Sequence, residues 1–433
     1  MLIRFFFFYS TIIFLLYGQL LAKDDFYQMV GEIMSASGLK TDRKCGFPTV
    51  LQASHPKNDQ LHLKLDKWMA QTIQLDSVYV SPSGHFIIHY TTSGNDAIPK
   101  YDRNQNGTSD YLEFVAKAFD EAWRIEIDSL GFKAPPDSSG NPRSVYHIYC
   151  RKLSVYGSTL LLYEIPDLEW TNYVTEIEIN TDFSYVNYPN ARDEIARDSM
   201  AIAVTAAHEF NHALQSGYRL WEADESGNYF EDIWFIESSA TFMEEVVAPD
   251  VNDYLQYLPS YFRHLDRPLD KSEGGWVDYG KVLLLKLLGE EYGWDITRKI
   301  WEEIVHQRAM PAMEKILLDL NTNILSELSL LSVWIYFSGS RAIPGQFFDD
   351  ADLFPQLRFC SINPVLNELD TLLEDSLPRL SMRWYLAQNE SSSPMNYLLQ
   401  KEKKDELNKL NIVFINPSGD YSRYLRLSLL TSR

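Results

Sequence analysis

The chain has 433 residues, with 60 Asp and Glu against 39 Lys and Arg, and a net charge of −21. That acidity excludes nucleic acid and anionic membrane surfaces as expected partners, and it leaves carboxylates available for hard cations. Three cysteines in this length exclude a disulfide-dense scaffold, and 14% aromatic residues supply enough apolar area for more than one core.

Residues 1–22 have the layout of a secretory signal. Arg4 precedes an apolar run from Phe5 to Tyr17, and Gly18 to Ala22 lead into the polar Lys23-Asp24-Asp25. Gly18 and Gln19 cut the run short of the ~20 residues a membrane span needs, so cleavage near Ala22 is expected rather than an anchor. The mature protein is then secreted or extracytoplasmic, with no membrane association, and losing Arg4 takes its charge to −22. Cys45, Cys150 and Cys360 predict one disulfide and one leftover thiol, with the pairing open. None lies in a C-x-x-C pattern, so no cysteine metal site is expected.

Residues 23–80 read as a polar, helical N-terminal extension or propeptide. It has amphipathic stretches at Asp25–Met34 and Leu61–Thr72 and a turn at Cys45-Gly46-Phe47-Pro48. The character changes at Ser81-Pro82-Ser83-Gly84, and His85–Tyr90 reads as a strand. A helix follows, with Tyr111, Phe114, Val115, Ala118, Phe119, Ala122 and Trp123 at 3–4 spacing. Ser144–Tyr149 and Thr175–Asn180 alternate like strands, the second being either a cleft edge that pairs with extended substrate or an ordinary edge strand. Asp198 or Ser199 caps the next helix, which stops near Gly217. Further helices are predicted at about Trp234–Val247, Tyr279–Tyr292 and Asp295–His306. Strands and helices in this order predict an α+β domain over 81–345, and 346–433 form a small C-terminal region.

The strongest chemical signal is His208-Glu209-Phe210-Asn211-His212. On a helix, residues i and i+4 lie one above the other, so His208 and His212 present both imidazoles to one point. Zinc takes such nitrogens, and in a catalytic site it keeps one tetrahedral position open for water. Glu209 sits where its carboxylate can take a proton from that water. Glu237, 25 positions beyond His212 on an apolar-faced helix, is the preferred third ligand. Glu222, Asp224, Glu225 and Glu231 are rivals by spacing alone. Glu244 either orients a ligand histidine or is a solvated helix position.

These pieces carry a resemblance. H-E-x-x-H followed by Trp234-Phe235-Ile236-Glu237-Ser238-Ser239-Ala240-Thr241-Phe242-Met243-Glu244 looks like the gluzincin metallopeptidases, and the second half is similar to the zinc-ligand helix of zinc aminopeptidases. The stretch from Ser81 to about Val305 resembles a group of large secreted bacterial proteins assigned only provisionally as metalloproteases. The resemblance implies a zincin-like catalytic domain, His208, His212 and Glu237 as zinc ligands, and Glu209 as catalytic base. The thermolysin pattern has an acidic residue where Thr241 stands, so roles of supporting residues do not carry over from that branch. Tyr279 resembles the aminopeptidase tyrosine that stabilises the tetrahedral intermediate, beside the alternative of a core or capping tyrosine. His264 is a weaker candidate for the same part.

A second metal is predicted at Asp102–Glu113, which fits the 12-position calcium loop. Asp102, Asn104, Asn106, Asp110 and Glu113 stand at positions 1, 3, 5, 9 and 12, Gly107 at the turn, and Thr108 offers its carbonyl. The alternative is an Asn/Gly turn capping the helix at Ser109 or Asp110. The expected function is hydrolysis of peptide or protein substrates by a secreted zinc peptidase carrying structural calcium. The alternatives are a catalytically inactive, calcium-stabilised extracellular binding protein and a carboxylate-pair hydrolase acting on sugars.

Overall fold

The computed structural model describes residues 44–54, 75–166, 168, 172–220, 232–362, 378–387, 410–415 and 424–429. The expected signal, the amphipathic stretches at 25–34 and 61–72 and the rival ligands at 222–231 lie outside them. The architecture is α+β. Five strands form one mixed sheet: β1 (Ser77–Val80), β2 (Phe86–Tyr90), β3 (Tyr146–Arg151), β4 (Gly157–Glu164) and β5 (Tyr173–Asn180), in the order β1-β2-β3-β5-β4. β2, β3 and β5 run parallel, and the two outer strands are antiparallel to their neighbours.

The parallel pairs need crossovers, and α2 (Asp110–Trp123) supplies the one between β2 and β3. Ser109 caps it by accepting from the Tyr111 N–H. A six-residue π-helical segment, Arg124–Ser129, continues it to the turn at Gly131, whose φ of 82° suits glycine. Alternate residues of β3 are buried, with Tyr146, Ile148 and Cys150 facing the helices. Phe86, Trp123 and Tyr146 meet Phe210 there, so the aromatic core sits directly under the helix that bears the histidines.

That helix is α3 (Glu194–Gln215). It starts earlier than the sequence reading placed it. Asp193 is the cap, accepting from the Ala196 N–H, whereas Asp198 lies inside the helix and pairs with Arg197. Both aspartates have capping chemistry, and the extra turn is settled by tertiary contacts. From Val204 to Gln215 every residue of α3 is buried, as expected of a helix crossing a core. α4 (Ile233–Val247) packs beside it. The predicted 279–292 helix is broken at Lys281 into α6 (Trp276–Gly280) and α7 (Val282–Tyr292), preceded by the single turn α5 (Leu258–Tyr261).

Two other expectations change. Tyr173–Asn180 is not an edge strand, because it lies between β3 and β4, and the edge on that side is Gly157–Glu164. Cys45 and Cys150 are both free and buried, so neither takes part in the expected disulfide. Among the described residues no single helix is long and apolar enough to cross a membrane.

Residues 44–54 belong to the same core. Gly46 N donates to Gly157 O (2.9 Å), and Cys45 pairs with Gly157 as an isolated parallel bridge on the outer side of β4. The helix α1 (Phe47–Ala53) then buries Phe47, Val50 and Leu51 completely.

Candidate metal centre

Each donor comes from a different structural constraint. His208 and His212 share a face of α3 by helical periodicity, with their rings 4.7 Å apart. Glu237 stands in the second turn of α4, only 2% exposed. Its Oε2 lies 3.4 Å from His208 Nε2, and its Oε1 lies 3.4 Å from His212 Nε2. Cys45 Sγ approaches His212 Nε2 to 3.4 Å. One donor atom from each of Cys45, His208, His212 and Glu237 falls within 4.8 Å of the others, and all four residues are buried. The set could therefore bind a metal. Contrary to the expectation that no cysteine would join such a set, Cys45 stands in the cluster.

Both histidines are held from behind through their other nitrogen. His208 Nδ1 lies 2.7 Å from Glu244 Oε1, and His212 Nδ1 lies 2.9 Å from Gln215 Oε1. The orientation of the Gln215 amide follows from its Nε2, which donates to Asn211 Oδ1, Ile236 O and Ser239 Oγ. Its oxygen therefore faces His212, whose Nδ1 must carry the proton. Asn211 is held in turn by Glu126, which the π-helical segment after α2 delivers to the core. Burial pushes both imidazoles well below their usual range, so both are neutral. The result is two Nε2 lone pairs aimed at carboxylate oxygens, and His208 Nε2 makes no hydrogen bond. Acceptors facing acceptors in a buried site repel, and a cation among them removes the repulsion. The residues present fit a metal ion.

Glu244 has a defined place. Its Oε1 accepts from His208 and its Oε2 from Lys44 Nζ (2.8 Å), so it is no solvated position. Burial pushes its carboxyl up to about 8, with Lys44 opposing. Lys44 also pairs with Asp253, which accepts from the Tyr188 and Tyr257 hydroxyls. Lys44, 3% exposed, thus joins the segment that bears Cys45 to the carboxylate that orients His208.

Glu209, 1% exposed, lies beside the donors rather than among them. Thr159 Oγ1 donates to its Oε2 (2.9 Å) and to its carbonyl (2.8 Å). Helix and strand approach closely at this point because Gly157 has no side chain: a Cβ there would sit 2.9 Å from Glu209 Cγ and 2.7 Å from Thr205 Cγ2. Burial pushes the Glu209 carboxyl up to about 7. Tyr279 is buried with its ring 5.9 Å from that of His208, so it borders the site. His264 bonds the Ser260 carbonyl through Nδ1 and is not one of the clustered donors.

The calcium-type loop is folded as a turn around its own acids. Asp102 accepts from the Asn106 and Gly107 N–H groups, and Asp110 accepts from the Arg103 N–H. The Asn104 and Asn106 amides both donate to Glu113. Gly107 adopts φ 87°, the left-handed turn that the pattern requires. Ser109 caps the following helix, so the cap and the loop coexist. Thr108 gives its N–H to Asn106 Oδ1.

A family pattern matches residues 47–325. The chain belongs to the DUF6055 family. It is a family of unknown function, and its matched span takes in α3, α4, the 102–113 loop and Tyr279, and begins two residues after Cys45. No curated protein matches this family member.

Sequence reasoning missed Cys45, Lys44, Gln215, Asn211, Glu126 and Thr159. Gln215 offered a signal, since it stands three positions after His212 on the same helix. Cys45 offered none, because its neighbours are remote in the chain.

Proposed function

We propose that this DUF6055 member is a secreted zinc metallopeptidase in which His208, His212 and Glu237 hold the metal and Glu209 is the general base. The observation that carries the reading is the acceptor convergence of two neutral imidazole nitrogens on one buried carboxylate, with both imidazoles oriented from behind. Two nitrogens and one carboxylate are a zinc set with room for catalysis. When bound, zinc would act as a Lewis acid toward the scissile carbonyl and make hydroxide accessible near neutral pH. Glu209 takes the proton from the attacking water and returns it to the leaving amine, while Thr159 holds its carboxylate in place. Tyr279, whose ring borders that of His208, is the proposed donor to the oxyanion. The resemblance of both motif helices to gluzincins supports the same chemistry, and the 102–113 loop supports calcium as a structural ion.

One observation favours a second reading, an inactive calcium-stabilised binding protein. Cys45 supplies a fourth protein donor, and closed four-donor sets belong to structural zinc. Glu209 weighs against that reading, because burying a carboxyl to 1% exposure beside the donors costs stability unless it has a task.

Elemental analysis tests the proposal. One zinc per chain is expected, lost in His208→Ala, His212→Ala and Glu237→Ala and kept in Glu209→Gln. The Cys45→Ser protein should cleave an unfolded peptide mixture until a chelator is added. Zinc retained by all three ligand variants, or cleavage indifferent to chelator, overturns it.

A further inference from the structure

We infer that Lys44–Phe47 is a built-in occupant of the substrate groove, with the Cys45 thiolate as the fourth metal ligand, so that the full chain folds in a latent form. The inference rests on the metal centre proposed above and adds to it what closes the site.

Four independent features meet in these four residues. Cys45 Sγ lies 3.4 Å from His212 Nε2 and within the same donor cluster as His208 and Glu237. Its own backbone continues the sheet: Tyr156 N donates to Lys44 O, Gly46 N donates to Gly157 O, and Cys45 bridges to Gly157 on the outer side of β4. That is the outer edge of β4 beside Glu209, to which an extended peptide would add as a strand. Phe47 stacks on the His212 ring at 4.4 Å with an interplanar angle of 27°. Lys44 locks the segment to Glu244 and Asp253 by a buried ion pair.

Burial shows the consequence. His208, Glu209, His212 and Glu237 are each 2% exposed or less, so no peptide reaches them while this segment is in place. A substrate needs the edge of β4, and attack would need the place beside His212 that Sγ occupies. The ligand class follows from the occupant: an extended main chain that exchanges hydrogen bonds with Gly157, with an apolar side chain one or two positions from the metal where Phe47 now packs. Opening exchanges one donor for another. The thiolate would be released and take one proton from solvent as a thiol, and a water molecule would enter beside Glu209.

The test replaces the metal with cobalt(II) in the full-length protein. The parent should show a sulfur-to-cobalt charge-transfer band in the near ultraviolet. Cys45→Ser and Cys45→Ala should lose the band, keep one equivalent of metal, and cleave peptides about tenfold faster or more, as expected if the closed form holds over nine-tenths of the molecules. A second measurement needs no variant. Alkylation of native zinc-loaded protein should spare Cys45 until a chelator is added, with the buried Cys150 as internal control. Cobalt bound without the band, or Cys45 alkylated equally with and without metal, overturns the inference and leaves the His-His-Glu centre standing. Failure of parent and variants alike to bind any metal overturns the centre itself.

Discussion

Cys45 Sγ lies 3.4 Å from His212 Nε2 although 167 positions separate the two residues. The contact brings a thiol to a pair of histidines that helical spacing alone had already aimed at one point. It is made by main-chain pairing with Gly157 and by the Lys44 ion pair, so its strength depends on groups outside the donor set.

The proposed base, Glu209, is the first target. In a Cys45→Ser background, Glu209→Gln should retain zinc and fold while peptide hydrolysis falls by about 10²–10⁴-fold. The carboxyl must be ionised to accept a proton, and burial pushes it up to about 7. A bound cation favours the ionised form, so the acid limb of the rate profile should be centred at or below about 7, with activity rising as pH increases through it. An unchanged rate in Glu209→Gln would remove the proposed mechanism.

Gln215 tests how His212 is held. Gln215→Leu removes the acceptor for His212 Nδ1 and frees the ring to choose either tautomer. Zinc affinity, measured by competition with a chromophoric chelator, should fall by about 10–100-fold with the fold retained. Unaltered affinity would mean that Gln215 serves packing alone.

Lys44 bridges two buried carboxylates, and Lys44→Met leaves both without a cation. Breaking a buried ion pair from one side costs about 3–5 kcal/mol, read as a lower denaturation midpoint. The sign with pH is fixed by Asp253. Burial would raise its carboxyl, but Lys44 and two tyrosine hydroxyls outweigh that and hold it below the usual range. Its contribution is therefore present above the unfolded pKa and is lost as pH falls through the folded one. The gap between parent and Lys44→Met should narrow in acid, and a gap that widens there would contradict this account.

Calcium should raise the melting temperature if the folded loop holds the proposed ion. At 100 times its Kd the linkage is worth about 2.7 kcal/mol. Glu113→Gln removes a carboxylate on which the Asn104 and Asn106 amides already converge, and it should abolish the shift. Identical melting of parent and variant with and without calcium would leave the loop a plain turn.

The sequence was readable where structure is local. His208 and His212 face one point because of helix periodicity, and Glu237 was singled out by its place on an apolar-faced helix. The three residues meet in one buried cluster, with Glu237 Oε1 and Oε2 each 3.4 Å from one histidine. The loop from Asp102 to Glu113 was legible for the same reason. β4 was not. Gly157–Glu164 shows no alternation because its first five residues are buried, with α1 and α3 both packed on the strand. Reading β5 as an edge followed from missing β4. Cys45 was out of reach because a parallel bridge to Gly157 and a buried Lys44 are tertiary facts. The chain of Glu126, Asn211 and Gln215 depends likewise on a π-helical segment that no periodicity announces.

The most direct measurement is the zinc X-ray absorption spectrum of the purified full-length chain. The account predicts one zinc per chain, with imidazole scattering, nitrogen or oxygen donors at about 2.0–2.2 Å and a single sulfur at about 2.3 Å. A protein that carries no zinc, or whose zinc shell lacks histidine, would contradict it.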